Sequence, residues 1–341
     1  MKSHPCGGLK FNAASKRGQS QTCLSYVLAP LRQFLFHLYS FIFTLSSLLF
    51  HLLSFIFYLF PMKHLITTLL LILATTLCQA QSAQDSILIA NAKWHSETNI
   101  ANGITHRSAQ IVGLYGSVQS INVVEIPRSH RGYYGIAGGK GMLTTSTQAT
   151  DNNAQAAING TYYNMRAGNS VCFYKVGGEV IDSTSVSEFR SRVNGAVRTH
   201  KRKLQILKWN KSIEQGYRGK RGTVLASGPL LLEGGMTSDW SACDEGFILS
   251  RHPRSAVLLT RRGDVLFLTV DGRSKGNADG MSIPELTFLA RQLGAVEGIN
   301  LDGGGSTTLW MRGAGVVNYP SDNRRYDHAG ERKVSNIIYV R

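Results

Sequence analysis

Acidic residues are missing from the first 80 positions of the chain, where Lys2, Lys10, Lys16, Arg17, Arg32 and Lys63 stand without a single Asp or Glu. Between Arg32 and Lys63 there is no charge of either sign, and such a span is long enough to cross a bilayer as a helix. Cysteine is scarce as well. Of five, only Cys172 and Cys243 follow residue 80, and their spacing fits no zinc pattern. The two could pair in an oxidising compartment or stay as buried thiols. No Lys precedes the Ser-Thr pair of the glycine-rich stretch 299–308, so that stretch is not a nucleotide-binding P-loop. A recognisable nucleic-acid-binding module is also lacking, which argues against nucleic acid as a partner.

What stands in the N-terminal region is two hydrophobic patterns. Residues 31–60 hold eight of the fourteen Phe, mixed monotonously with Leu, Ser and His. A second pattern begins at Met62 with basic Lys63 and His64, continues apolar from Leu65 to Leu77, and ends Cys78-Gln79-Ala80. That is the layout of a secretory signal peptide (residues 62–80) cut after Ala80. Two such segments in succession are hard to reconcile as one design. The favoured reading starts translation at Met62 and treats residues 1–61 as an upstream extension; the alternative is a genuine membrane segment over 33–60. Either way the chain is expected to be exported, to a periplasmic or extracellular location. The remaining 341 − 80 = 261 residues suffice for one large domain. With 37 − 6 = 31 basic and 21 acidic residues, that portion has a net charge of +10.

Residues 81–100 read as a polar lead-in and 101–341 as the domain. Short apolar runs at 111–115 and 121–126 alternate with turn residues, as in antiparallel strands ending at Pro127. Residues 144–153 read as a surface helix. Ala156 to Tyr163 is a strand interrupted by Asn159-Gly160, where a close backbone approach competes with a hairpin turn. Val224 to Leu232 is a strand broken by Gly228-Pro229. The near-continuous apolar runs 255–260 and 265–270 flank Arg261-Arg262-Gly263-Asp264 as a hairpin with both faces covered. Ser282-Ile283-Pro284-Glu285 has capping-box spacing and opens a helix that Gly294 ends. A final strand runs from Val334 to Val340. The fold class that follows is α+β, a single domain with an extended mixed or antiparallel twisted sheet and a few packed helices. Residues 190–221 hold eleven Lys or Arg against one acid, Glu214. Their +10 equals the net charge of the mature chain, a solvated surface or a contact for a polyanion.

Chemistry concentrates at Ile299-Asn300-Leu301-Asp302-Gly303-Gly304-Gly305-Ser306-Thr307-Thr308. Alternation sends Ile299 and Leu301 one way and Asn300 and Asp302 the other. Gly303, Gly304 and Gly305 free the backbone for close approach, and their N–H groups with the Ser306 and Thr307 hydroxyls suit an anion. The same residues also serve as a glycine turn between strands. Hairpin pairing of 255–260 with 265–270 places Arg254 near Asp271 and Arg273.

In order along the chain, Ala157-Ile158-Asn159-Gly160-Thr161-Tyr162-Tyr163, Ser227-Gly228-Pro229-Leu230-Leu231, His252-Pro253-Arg254-Ser255-Ala256, Asp271-Gly272-Arg273, Gly280-Met281-Ser282 through Glu285, Asn300 to Thr307 and Arg332 to Asn336 resemble the phosphodiester glycosidase domain family. Thr161 departs from the glycine common there, and the basic insert has no counterpart. The resemblance implies hydrolysis of a sugar–phosphate linkage at the anomeric carbon, with no cofactor. Asp302 is the first candidate for the working carboxylate and Asp271 the second. Arg254 and Arg273 would clamp the phosphate, whose oxygens their planar forks match. The Gly303–Gly305 amides, Ser306 and Thr307 would add donors, and Asn159 would hold a sugar hydroxyl or orient an acid. Asp271, Asp279 and Asp302 could ligate a divalent metal, though no spacing asks for one. Two other classes fit the same residues: a non-catalytic binder of phosphorylated glycans, and a phosphodiesterase that breaks P–O.

Overall fold

Residues 19–59, 66–69, 71, 82–100 and 103–341 are described by the computed structural model, which divides into two units, Met1–Gln79 and Ala80–Arg341. In the first, one helix spans Gln19–Leu59, and its stretch His37–Ile56 is long and apolar enough to cross a membrane, with a mean hydropathy of 1.7. Most of the expected signal segment, and its cleavage point, lie outside the described residues.

In the second unit the polar lead-in turns out to be structured. Residues 82–90 are helical and strand β1 (His95–Ile100) follows. Ile89 and Asp85 of this helix are buried, and the Asp85 carboxylate accepts the Tyr115 N–H at 3.0 Å. Two adjacent turns with one buried apolar side chain are too short to show a helical stripe in sequence.

The chain then lays down β2 (Ile104–Val112), β3 (Val118–Ile126) and β4 (Tyr134–Thr144). After the helix Thr145–Asp151 come β5 (Ala156–Asn159), β6 (Tyr174–Val176) and β7 (Glu179–Asp182). The helix Val186–Ser191 leads to β8 (Gly195–His200) and β9 (Lys203–Lys208). Helix Lys211–Gly216 precedes β10 (Thr223–Ser227), β11 (Leu230–Glu233) and β12 (Met236–Thr237). The hairpin β13 (Arg254–Thr260) and β14 (Val265–Val270) is followed by helix Ile283–Gln292 and β15 (Ala295–Asn300). Short β16 (Leu309–Met311) and β17 (Gly315–Val316) precede β18 (Lys333–Val340). The strands form three sheets: β1-β2-β3-β14-β13-β15-β11-β12, β7-β6-β10-β8-β9 and β17-β16-β5-β18-β4.

The apolar runs of β13 and β14 are double-faced because the large sheet lies between two cores. Ala256, Leu258, Leu266 and Leu268 pack with Leu286 and Leu289 of the helix on one side. Val257 and Phe267 pack on the other with Val197 of β8, Leu225 of β10 and Ile158 of β5. Truncating a buried Leu such as Leu286 to Ala would cost about 2–5 kcal/mol. The helix itself begins with the capping box between Ser282 and Glu285 and carries β14 over β13 to β15. The strand broken at Gly228-Pro229 is two strands in different sheets: β10 ends one and β11 enters the other. Gly228 makes the turn at φ 156°, a conformation that favours glycine.

Candidate active site

Two aspartates leave the same edge of the large sheet. β14 and β15 both run antiparallel to β13 between them, so Asp271 and Asp302 emerge from parallel neighbours at one end. Arg254 opens β13 at that end, opposite Val270.

The Asp302 carboxylate is half-buried. One of its oxygens accepts the Gly303 N–H at 2.9 Å, and desolvation pushes its pKa up to about 6, against the opposing pull of Ser306, Arg192, the Gly303 N–H and Arg332. The loop is braced from behind. Asn159, fully buried, donates to the Asp302 carbonyl at 2.7 Å, while its own carbonyl accepts Ser255 Oγ at 2.6 Å and the Thr308 N–H at 3.1 Å. Asn159 is therefore fixed as a brace that orients Asp302 through the backbone. The expectation that it reaches a sugar hydroxyl is corrected: both ends of its amide are occupied by protein.

The glycines earn their place by crowding rather than as a row of free amides. A Cβ on Gly303 would lie 2.5 Å from the Pro253 carbonyl, and one on Gly304, at φ 62°, 2.9 Å from the Arg273 guanidinium. A Cβ on Gly305 would collide with the Arg332 guanidinium. The Gly303 N–H is taken by Asp302 and that of Gly304 by the Pro253 carbonyl at 2.8 Å, so the expected three-amide cradle is not open as such. The Ser306 and Thr307 hydroxyls, both buried, have no hydrogen-bond partner. The Ser306 hydroxyl is near enough to Asp302 and Tyr163 to pull the pKa of each down.

The cations around Asp302 are only partly the expected ones. Arg273 sits over Gly304, is exposed, and enters no ion pair among the described residues. Arg254 is committed elsewhere. Its guanidinium donates to the carbonyls of Met281 at 2.8 Å, Phe247 at 3.1 Å and Ser250 at 2.7 Å, and the residue is 1 % exposed. Burial pulls its pKa down to about 10. Its assignment to a phosphate clamp is corrected on that ground. In its place stand two arginines that the sequence reading did not select. Arg192 lies on the Tyr162 ring at 3.6 Å, gripped by Glu188 at 2.7 and 2.9 Å. Burial works against its charge, yet the Glu188 hydrogen bonds outweigh that and raise its pKa. Arg332 is paired with Asp322 and packed on Gly305. Both lower the Asp302 pKa from beyond ion-pair distance. Arg332 and Tyr163 stood in the family-like motifs; Arg192 stood in the basic stretch and had no local signal. His252 is half-buried beside these groups, and desolvation with the charges of Arg254 and Arg273 pushes its imidazole below the ordinary value.

Asp271 differs in every respect. It is fully buried and accepts four hydrogen bonds: Ser120 Oγ at 2.7 Å, Asn122 Nδ2 at 3.1 Å, Asn318 Nδ2 at 2.9 Å and the Tyr319 N–H at 2.9 Å. Desolvation raises its pKa in spite of these donors. Arg254 is not among its partners, so the expected Arg254–Asp271 pair is replaced by two separate networks. A tyrosine–histidine stack closes over this network, with Tyr319 4.0 Å from Tyr326 and 4.4 Å from His328. Asp279 is exposed. Among the described residues no three His, Cys, Asp or Glu side chains cluster as metal ligands, and Cys172 and Cys243 are free thiols.

The domain is α+β, with a half-buried carboxylate on a glycine turn under the electrostatic influence of Arg192 and Arg332. The chain belongs to the phosphodiester glycosidase family, whose model matches residues 152–341. It is 33 % identical over 96 residues to the mouse (Mus musculus) N-acetylglucosamine-1-phosphodiester alpha-N-acetylglucosaminidase, covering 28 % of this chain and 18 % of that one. It is 35 % identical over 89 residues to the Bos taurus enzyme of the same name, covering 26 % and 16 %. The matched part thus spans less than a fifth of either relative. Its fold is similar to the zebrafish catalytic domain of that name, auto-inhibited by a pro-peptide, with a TM-score of 0.54 at 18 % identity over 73 % of this chain and 87 % of that one. A hypothetical protein from Synechocystis is similar at a TM-score of 0.53 and 18 % identity, over 74 % of this chain and 64 % of that one.

Proposed function

We propose that the protein hydrolyses the glycosidic C–O bond of a sugar 1-phosphodiester of the N-acetylglucosamine type. The observation that carries this reading is Asp302: a half-buried carboxylate of raised pKa, influenced by Arg192 and Arg332 and followed by a glycine turn on which Arg273 sits, in a chain of this family. A phosphodiester is already a good leaving group, so protonation by a general acid matters less than in ordinary glycoside hydrolysis. What remains is to stabilise an oxocarbenium-like carbon, hold the departing phosphate and supply a carboxylate. Above pH 6 Asp302 is ionised and serves as base or nucleophile. Arg273, in no ion pair among the described residues, takes the phosphate first, and Arg332 and Arg192 add positive potential. The partnerless Ser306 and Thr307 hydroxyls supply neutral donors to the same anion. The Asp271 network keeps the neighbouring strand end rigid.

Hydrolysis of N-acetylglucosamine 1-phosphodiesters in oxygen-18 water tests the reaction. Label in the sugar supports C–O cleavage, and label in the phosphate overturns it in favour of P–O chemistry. Binding without turnover would leave a phosphoglycan-binding protein. The chain is also proposed to be exported, its signal peptide starting at Met62 and ending at Ala80. N-terminal mass spectrometry should find Gln81 first, and any peptide from 1–61 rules out the Met62 start.

A further inference from the structure

Asn318 joins three parts of the site. Fully buried, it donates to the Asp271 carboxylate at 2.9 Å and to the carbonyl of Thr307, just past the glycine turn, at 3.1 Å. Its side-chain carbonyl accepts the Leu309 N–H at 2.7 Å. Its main-chain carbonyl lies 2.7 Å from His328 Nδ1. One residue therefore separates His328 from both the glycine turn and the Asp271 network.

The loop that carries His328, residues 319–331, begins and ends against that same region. At its start the Tyr319 N–H bonds Asp271 at 2.9 Å, and just past its end Arg332 packs on Gly305 and pairs with Asp322. The Asp322 N–H reaches the Gly330 carbonyl at 3.3 Å and closes the neck. The two ends run so close that a Cβ on Gly330 would collide with the Pro320 carbonyl. A compact loop with joined ends is a common carrier of functional side chains.

Within the loop, stacked rings fix the pose of His328. Tyr319 stacks on Tyr326 at 4.0 Å and 12°, and on His328 at 4.4 Å and 29°. Two rings at such separations cannot share one face, so Tyr319 lies between them and His328 is an outer ring. A carbonyl only accepts, so Nδ1 carries the proton in the bond to Asn318. In the neutral imidazole Nε2 is then an acceptor. His328 is exposed and enters no ion pair among the described residues. The adjoining Asp327 is spent on Asn323 Nδ2 at 2.8 Å and the Ala329 N–H at 3.0 Å. A fixed lone pair attracts an O–H or N–H and repels a phosphate oxygen, which places His328 on the sugar side, away from the anion that Arg273 takes.

We propose that His328 is a specificity-determining residue whose Nε2 accepts one hydroxyl, or the amide N–H, of the sugar. The proposal rests on the reading of Asp302 given above. The test uses the full chain with His328→Asn, which keeps a donor near the Nδ1 position and removes Nε2, and His328→Gln, which returns an amide oxygen near the Nε2 position. The probes are an N-acetylglucosamine 1-phosphodiester and analogues that each lack one donor, a hydroxyl in three and the acetamido group in the fourth. Wild-type kcat/KM should fall about five- to tenfold on at least one analogue, as the loss of one hydrogen bond at an exposed group predicts. In His328→Asn the parent compound should fall to that analogue's level, so that the two are hydrolysed equally, and His328→Gln should restore part of the difference. A histidine that only braces the loop would lower kcat/KM on every probe by one common factor and leave each analogue's penalty in place, which overturns the proposal. Equal wild-type kcat/KM on all probes overturns it too. If no probe is hydrolysed, the hydrolytic reading falls, and dissociation constants from calorimetry on the same probes decide the contact. A penalty that His328→Asn abolishes keeps it; a penalty left in place, or no binding at all, removes it.

Discussion

The ends of β14 and β15 are the same device built twice and tuned oppositely. Each delivers an aspartate and then a glycine from a buried apolar strand beside β13. At Asp271 four donors converge and water is shut out. At Asp302 a single amide bonds the carboxylate, the rest of its field comes from Ser306 and from arginines at a distance, and solvent reaches it. A carboxylate whose lone pairs are all engaged holds structure together; one left under-bonded and desolvated is available to react. The same contrast separates Arg254, spent on three carbonyls, from Arg273, which enters no ion pair among the described residues.

The largest effect should come from exchanging the acids for amides. Asp302→Asn should lower kcat by about 10²–10⁴-fold while retaining substrate, whereas Asp271→Asn should leave kcat within about tenfold and cost about 1–3 kcal/mol in denaturant unfolding, because the new NH₂ faces donors. Equal losses of kcat would break the contrast. Arg254→Gln should destabilise by about 3 kcal/mol, several buried carbonyls losing a charged donor, while Arg273→Gln should leave unfolding unchanged and raise KM by about tenfold or more. An Arg273 variant with wild-type KM would remove that residue from the phosphate site.

A smaller effect sharpens the picture through pH. Because the folded-state pKa of Asp302, about 6, lies above the ordinary carboxylate value of 3.8, the folded protein holds the proton more tightly than the unfolded chain. Its protonated form therefore favours folding below pH 4, and this is lost as pH rises through 6. Asp302→Asn should accordingly stabilise the protein at pH 7, by up to about 2 kcal/mol given partial solvent access, and flatten the pH dependence of its unfolding midpoint between pH 4 and 7. A destabilised Asn variant would contradict the desolvation argument. The smallest effect is a displacement. The kcat/KM profile should rise with pH to a half-maximum near 6, and Arg192→Gln or Arg332→Gln should move that midpoint upward, since both charges favour the ionised form. A downward or absent movement in both variants would detach them from Asp302.

The sequence by itself determined the elements whose signal is local. The capping box at Ser282, the 255–270 hairpin, the helix after Thr144 and the alternation from Ile299 to Asp302 depend on residues a few positions apart, and such patterns survive in one dimension. The family-like motifs likewise carried Asp302, Arg273 and the glycines together. Tertiary structure alone decided the rest. Arg192 acts on Asp302 at a distance only because its guanidinium, just past the helix Val186–Ser191, comes to rest on the Tyr162 ring, and Arg254 is lost to the site only because three carbonyls from 247–281 fold around it. Asp271 and Asp302 are nearly indistinguishable as letters. What separates them is the number of donors that arrive from Ser120, Asn122 and Asn318, residues 47 to 151 positions away from Asp271, and hydrogen-bond saturation over such distances is a property of packing, which no local pattern encodes.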